Sequence, residues 1–272
     1  MTATTTVPAT EKAIRTESAD GVCTITFNRP DKYNAINDAF STELLEALKQ
    51  AERDPAVRVI ILTGEGKAFC SGQDLGDLKE KYKPGYVPHL GDDLRRRYNP
   101  IILKMAMMDK PIIAAVNGVA AGAGCSLALA CDMRVASQEA SFIEVFINVG
   151  LVPDSASTWF LPRLVGLGKA MELCCTGSKV PADEALQLGL VNRVVDPGSL
   201  MSETLTLAKK LASLPARGIA LTKKLLRESF ESTLEQQLEA EAYAQETAAK
   251  TEDHFEGVMA FIEKRKPAFK GR

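Results

Sequence analysis

The residues best placed to do chemistry in this chain are those with the least side chain. Gly118-Val-Ala-Ala-Gly-Ala-Gly-Cys-Ser126 carries three glycines and three alanines in its first seven positions. An apolar run, Pro111-Ile-Ile-Ala-Ala-Val-Asn117, precedes it and Leu127-Ala-Leu-Ala-Cys131 follows. This reads as a buried strand, a turn of tiny residues and a buried helix. Such a turn lets a ligand reach backbone N–H groups directly. The first N–H groups of a helix have no intrahelical partner and sit at the positive end of its dipole, so a negatively charged oxygen is stabilised there.

A second turn of the same kind, Gly66-Lys-Ala-Phe-Cys-Ser-Gly72-Gln73-Asp74-Leu75, follows the apolar run Val59-Ile-Ile-Leu-Thr63. Two N–H groups aimed at one point would form a hole for an enolate or a tetrahedral oxyanion, each donor contributing roughly 3–4 kcal/mol to the transition state. The spacing is equally that of tight turns that let helices pack closely on a sheet.

Candidate acids and bases are few. Asp154 follows Leu151-Val-Pro153 and precedes Ser155-Ala-Ser-Thr-Trp-Phe160, where its plain role is to cap a helix starting at Ser155. Glu144 reads as a surface or salt-bridged residue. Gly124-Cys-Ser126-Leu-Ala128 has the outline of a nucleophile elbow, but a serine nucleophile needs a nearby base. The two histidines, His89 and His254, lie in a proline-containing loop and near the far end. The six cysteines are scattered through mostly apolar runs with no C-x-x-C spacing, which fits buried thiols in a reducing cytoplasm. No metal site is expected.

The elements that must position these groups follow from periodicity. Lys12–Ser18 and Gly21–Phe27 read as a hairpin around Ala19-Asp20-Gly21. Asp38 opens an amphipathic helix to about Arg53, and Val57–Thr63 is a strand. Lys79–Leu90 lacks periodicity and reads as a loop over a site or a plain surface connection. A helix spans 92–108, with an Arg95-Arg-Arg97 cluster; Met133–Ser137 is a further strand. Helices are expected over 167–176 and 181–188, with a strand at 191–195. From residue 199 onward the pattern is helical, over about 199–213, 215–229, 231–249 and 252–264. Strands alternating with helices and then helices alone give an α/β class, divided here as 1–198 and 199–272.

The bulk properties set bounds. At 272 residues, 46% hydrophobic and 25% charged, the chain can bury a sizeable core. A net charge of −2 argues against a general nucleic-acid binder. No apolar run reaches the length of a membrane span. The N-terminal stretch lacks the pattern of a secretory signal, so a cytoplasmic protein is expected.

Several segments in order resemble the crotonase, or enoyl-CoA hydratase/isomerase, superfamily: Asn28-Arg-Pro-Asp-Lys-Tyr-Asn-Ala35, both small-residue turns, Gly150-Leu-Val-Pro-Asp154, and Phe255-Glu-Gly-Val-Met-Ala-Phe-Ile-Glu-Lys-Arg-Lys-Pro-Ala-Phe269. The resemblance implies a spiral of ββα units with a helical C-terminal region that makes oligomer contacts, as a trimer or a dimer of trimers. It implies an acyl-CoA thioester as substrate, with no separate cofactor, its carbonyl oxygen held between the N–H groups of Gln73 and Ala123. Lys32, Ala35, Ala68, Ser71, Gly72, Asp74, Leu75, Gly122 and Phe146 would line the CoA and acyl pocket. Lys264 would reach a CoA phosphate; the plain readings are solvated lysines for Lys32 and Lys264 and a helix cap before Leu75 for Asp74.

The two glutamates with which hydratases of the family hold water fall on Ser126 and Phe146. Val-Pro-Asp154, followed by Thr158-Trp-Phe-Leu-Pro-Arg163, resembles ring-1,2-epoxyphenylacetyl-CoA isomerases, in which the aspartate is the acid/base group. The resemblance therefore implies isomerisation, of a 1,2-epoxyphenylacetyl or a Δ3,Δ2-enoyl thioester. The alternatives are an enoyl-CoA hydratase and a non-catalytic binding protein on the same fold.

Overall fold

The computed structural model describes residues 12–76 and 83–272. The first ten residues and positions 79–82 of the expected loop lie outside that range. Among the described residues, ten strands form two sheets. β1 (Ile14–Ala19), β2 (Val22–Phe27), β3 (Val59–Gly64), β5 (Ile112–Val116), β7 (Met133–Ser137) and β10 (Arg193–Val195) make the larger, in the order β1-β2-β3-β5-β7-β10. The first pair is antiparallel and the rest are parallel. β4 (Ala68–Cys70), β6 (Val119–Ala121), β8 (Ser141–Ile143) and β9 (Lys179–Pro181) make the smaller, in that order. From β3 to β8 the strands of the two sheets therefore alternate along the chain.

The helices are α1 (Asp38–Arg53), α2 (Leu90–Asp93), α3 (Asn99–Met107), α4 (Ala123–Leu129), α5 (Ser157–Val165), α6 (Leu167–Thr176), α7 (Ala182–Gln187), α8 (Leu200–Ala212), α9 (Ala216–Glu228), α10 (Leu234–Ala249) and α11 (Glu252–Ile262). β3-β4-α3, β5-β6-α4 and β7-β8-α5 are successive turns of one spiral. The expected helix over 92–108 is α2 and α3 joined by a π-helical turn, Leu94–Tyr98.

Alternation on the large sheet divides the core. Ile25, Phe27, Ile60, Leu62, Ile112 and Ala114 face α1, α3 and α4. Val22, Val59, Ile61, Ile113 and Val135 face Leu200, Ala208 and Ala212 of α8. Both faces are covered, so the central parallel strands are apolar throughout. Phe27 ties the layers together, with ring centroids 4.9 Å from Phe40 on α1 and 5.1 Å from Phe69 on β4.

The small sheet is where the structure departs from the sequence reading. The stretch 118–124 is not all turn: Val119–Ala121 is β6, paired with β4 and β8. Strands of three residues are too short to show a period. At the other end of the chain the last residues fold back. Arg58 Nη1 donates to the carbonyl of Ala212 at 2.9 Å, and the buried Asp253 carboxylate accepts from the backbone N–H of Lys270 and Gly271.

Candidate active site

Two turns, one after β4 and one after β6, meet in direct backbone contact. Gly72 has φ 89°, and a Cβ there would sit 2.8 Å from the carbonyl oxygen of Ala121 and 3.4 Å from the nitrogen of Ala123. A Cβ on Gly124 would sit 2.1 Å from the carbonyl oxygen of Cys70. The small residues are thus required by a close approach of main chains as well as by access for a ligand.

The approach leaves two donors free. Gln73 bridges Ile36 in parallel fashion, through the Gly72 carbonyl (2.7 Å from Ile36 N) and the Asp74 N–H (2.9 Å from Ile36 O). The N–H of Gln73 itself then points to the other side. Ala123 is the first residue of α4, after Gly122 at φ 52°. Neither N–H has a hydrogen-bond partner among the described residues. α4 supplies the positive end of its dipole at the same place.

The early segment is fastened to the first turn. Ser71 N donates to the Tyr33 carbonyl at 3.0 Å, and Ser71 Oγ lies 3.4 Å from the Lys32 carbonyl. Asn34, fully buried at φ 56°, holds this loop: its Nδ2 donates to the carbonyls of Glu65 (3.0 Å) and Ala68 (2.7 Å), and its Oδ1 accepts from Arg29 N. Asparagine suits this position because it tolerates left-handed backbone. Lys32 is exposed beside it, and Ala35 and Ala68 are buried.

Asp74 has partners within the protein on both carboxylate oxygens. Its Oδ2 pairs with Arg29 at 2.9 Å and its Oδ1 accepts from Gly76 N at 3.0 Å, a capping-type bond. Leu75 is exposed next to it. Gln73 points its side chain at Tyr98, whose hydroxyl donates to Gln73 Oε1. Tyr98 ends the π-helical turn and is buried, and burial pushes its hydroxyl above the usual tyrosine value. Nothing in the sequence pattern marks such a turn.

Asp154 hangs beside the start of α4. Ser126 Oγ, one helical turn past Ala123, lies 3.1 Å from the Asp154 carbonyl oxygen. The cap reading of Asp154 is corrected: α5 begins at Ser157, its N-cap is Ala156, and no side chain caps it. Ser155 and Ala156 intervene, both left-handed at φ 51° and 64°. The Asp154 carboxylate is half-buried, accepts only from Ser155 Oγ (2.8 Å) among the described residues, and is pushed up from the usual carboxylate range by burial. Phe146 is buried with its ring 3.8 Å from where a Cβ on Gly122 would be, so the wall on that side is apolar.

Glu144 is a second correction. It is 3% exposed and forms no ion pair among the described residues. It sits between β8 and a 3-10 turn rather than on a helix. Oε1 accepts from Ser157 Oγ at 3.0 Å, and Ser157 Oγ is 2.8 Å from Ser126 Oγ. Oε2 is buried without a hydrogen-bond partner. Burial raises its pKa to about 7, and the nearby Asp154 charge adds to that, against the lowering effect of Ser157 and Cys125. Ser126, engaged with both Ser157 and Asp154, has no histidine beside it among the described residues, so the nucleophile-elbow reading fails.

Lys264 is exposed after α11. The tail that follows it contacts Arg58, directly before β3, whereas residues 68–75 come after that strand. Arg95 and Arg96 pair with Asp92 and Asp93 on the surface, and Arg97 pairs with Asp38. A cavity of about 670 Å³ lies elsewhere, between α5, α8 and α9; its one carboxylate, Asp132, is paired with Lys223 at 2.8 Å. Among the described residues no three His, Cys, Asp or Glu side chains converge as metal ligands, and no helix is long and apolar enough to cross a membrane.

Residues 17–272 match the family described as Enoyl-CoA hydratase/isomerase. The chain is 42% identical to 1,2-epoxyphenylacetyl-CoA isomerase of Escherichia coli, over 93% of this chain and 96% of that protein. It is 36% identical to a short-chain-enoyl-CoA hydratase of Clostridium acetobutylicum, over 94% and 97%. The crystal structure of an enoyl-CoA hydratase from Bacillus anthracis superposes with a TM-score of 0.89 at 34% identity, covering 96% of this chain and all of that one.

Proposed function

The chain belongs to the enoyl-CoA hydratase/isomerase family, enzymes of CoA thioesters, and from that premise we propose that it is an acyl-CoA isomerase with Asp154 as its proton-shuttling base. The observation that carries this reading is the half-buried Asp154 carboxylate, freed from any capping duty and tied through its main-chain carbonyl to Ser126 of α4, the helix whose first N–H is unpaired among the described residues. In this reading the thioester carbonyl oxygen sits between Gln73 N and Ala123 N. Lys32, Ala35, Ala68, Ser71, Gly72, Leu75 and Gly122 flank the CoA and acyl chain, with Asp74 bracing the turn through Arg29.

The thioester makes C2 acidic, and the N–H pair stabilises the enolate that forms when Asp154 takes the C2 proton. Returning that proton at C4 moves the double bond; no water and no second acid are needed. The raised proton affinity of Asp154 suits both halves of the shuttle. An epoxide on the ring of a phenylacetyl thioester could rearrange in the same pocket, with no atoms gained or lost, and the 42% identity to the Escherichia coli isomerase favours that substrate. Hydration would require a second group to orient water, and the Phe146 wall offers none.

Asp154→Asn tests the base. The isomerase kcat is expected to fall roughly 10²- to 10⁴-fold with little change in thermal stability or KM. Near-parent turnover would overturn the assignment. Turnover of an acyl-CoA panel, separated by chromatography and weighed by mass spectrometry, tests the reaction class: isomers keep their mass and hydrated products gain one water. Efficient conversion of crotonyl-CoA to its 3-hydroxy product would overturn the isomerase reading.

We also propose a trimer or a dimer of trimers. The helical region leaves Leu234, Leu238, Tyr243, Phe255 and Phe261 more than half exposed, a pattern that marks an interaction surface. In such an assembly Lys264 would serve a neighbouring subunit's site. A monomer alone in sedimentation at micromolar concentration would exclude it.

A further inference from the structure

We propose that Glu144 is a positioning residue that, through Ser157 and Ser126, sets the direction of a hydrogen-bond chain ending on the main-chain carbonyl of Asp154, and so sets how firmly the turn carrying the base is held. The inference rests on Asp154 being the base.

The chain is continuous: Glu144 Oε1 to Ser157 Oγ at 3.0 Å, Ser157 Oγ to Ser126 Oγ at 2.8 Å, and Ser126 Oγ to the Asp154 carbonyl at 3.1 Å. It links three elements, the segment after β8, α5 and α4. Each serine hydroxyl has one proton to donate, so the chain can run in only one direction at a time. With Glu144 neutral, its O–H donates to Ser157, Ser157 donates to Ser126, and Ser126 donates to the Asp154 carbonyl. With Glu144 ionised, Ser157 must turn its proton toward Oε1. Ser126 is then drawn toward the vacated Ser157 oxygen, or toward the Gly122 carbonyl 3.2 Å away, and the Asp154 carbonyl keeps only the Ser157 N–H.

The clamp matters because the turn it holds is strained. Ser155 and Ala156 are both left-handed without being glycine, a conformation that persists only where surrounding contacts enforce it. The surroundings of Glu144 favour the neutral form. Oε2 has no partner, which costs a carboxylate far more than the carbonyl oxygen of an acid. The titratable groups facing it are the thiols of Cys125 on α4 and Cys174 on α6 and the Asp154 carboxylate; none is a cation. Burial places its ionisation at about 7, where it can switch at physiological pH.

The test is the pH dependence of kcat and KM for isomerisation of a 3-enoyl-CoA by the parent, Glu144→Gln, Ser157→Ala and Asp154→Asn. In the parent, kcat should step down about three- to tenfold as pH rises through about 7, with KM unchanged. Glu144→Gln keeps a donor toward Ser157 and cannot ionise, so the step should vanish and kcat should stay within about threefold of the parent's upper level. Ser157→Ala cuts the chain, so the step should vanish with kcat at the parent's lower level throughout. A step that survives in Glu144→Gln overturns the proposal, as does a lowered unfolding temperature in a variant whose profile keeps the parent's shape. Should Glu144→Gln not fold, Ser157→Ala decides alone: a surviving step overturns the proposal and a flat low profile supports it. If Asp154→Asn retains the parent rate, it is the base assignment that fails, and the two outcomes are distinguishable.

Discussion

Around the N–H pair, glycine and alanine bring main chains to contact distance, and a Cβ on Gly124 would fall 2.1 Å from a carbonyl oxygen. Around Asp154, two residues that carry side chains take left-handed backbone where glycine would be easier, and hydroxyls rather than close contacts hold the turn. The first region is specified by what is missing from its residues, and its failure mode is steric. The second is specified by what its residues donate and accept, and its failure mode is electrostatic. Substitutions in the two regions should therefore differ in kind as well as in size.

The largest effect expected is from Gly124→Ala. The added methyl meets the Cys70 main chain, which cannot move without separating β4 from α4, so destabilisation of more than about 3 kcal/mol is expected along with loss of activity. Chemical denaturation measures it, and a parent-like midpoint would show that the turns can separate without penalty.

Next in size is the pH dependence of stability. Glu144 has a folded pKa of about 7, above the unfolded value of about 4.3. The folded state therefore holds more protons between those values, and the contribution is complete below the lower value and lost as pH rises toward the upper one. The loss should be roughly 3–4 kcal/mol at most, and Glu144→Gln should flatten it. Denaturation midpoints from pH 4 to 8 compare the two proteins; parallel curves would place the titration elsewhere.

A smaller effect of opposite sign to the first separates the regions directly. Ala156→Gly relieves a left-handed alanine and should be neutral or stabilising by up to about 1 kcal/mol. One glycine is indispensable and the other would be an improvement in stability. A loss above 1 kcal/mol would show that the Ala156 methyl packs usefully against the core. The smallest effect is expected from Gln73→Ala, which leaves the N–H in place and removes the side chain's bonds to the Tyr98 hydroxyl and the Asp74 carbonyl: kcat should change less than about threefold.

The first region was largely legible in the sequence. Small residues between apolar runs are a direct readout of close backbone approach, and the strands and helices flanking them have clear periods. What escaped was the small sheet, because three-residue strands such as Ala68–Cys70 carry no alternation. The second region was legible only in part. A helix-cap rule applied to Asp154 placed the start of α5 two residues early, since no local rule anticipates consecutive left-handed serine and alanine. Glu144 reads as a surface or salt-bridged residue in the sequence because Ser157 and Ser126, which enclose it, come from other elements. Its burial is a fact of the tertiary fold.

The spiral also distributes authorship of the site. Its first winding contributes Gln73, its second Ala123, and its third, from β7 through α5, contributes Phe146, Asp154 and the hydroxyl of Ser157. On the proposed reading, two windings would hold a thioester and one would decide what happens to it. A lineage could rewrite the segment from 144 to 157 and inherit the rest intact, acquiring a new reaction without relearning how to bind its substrate.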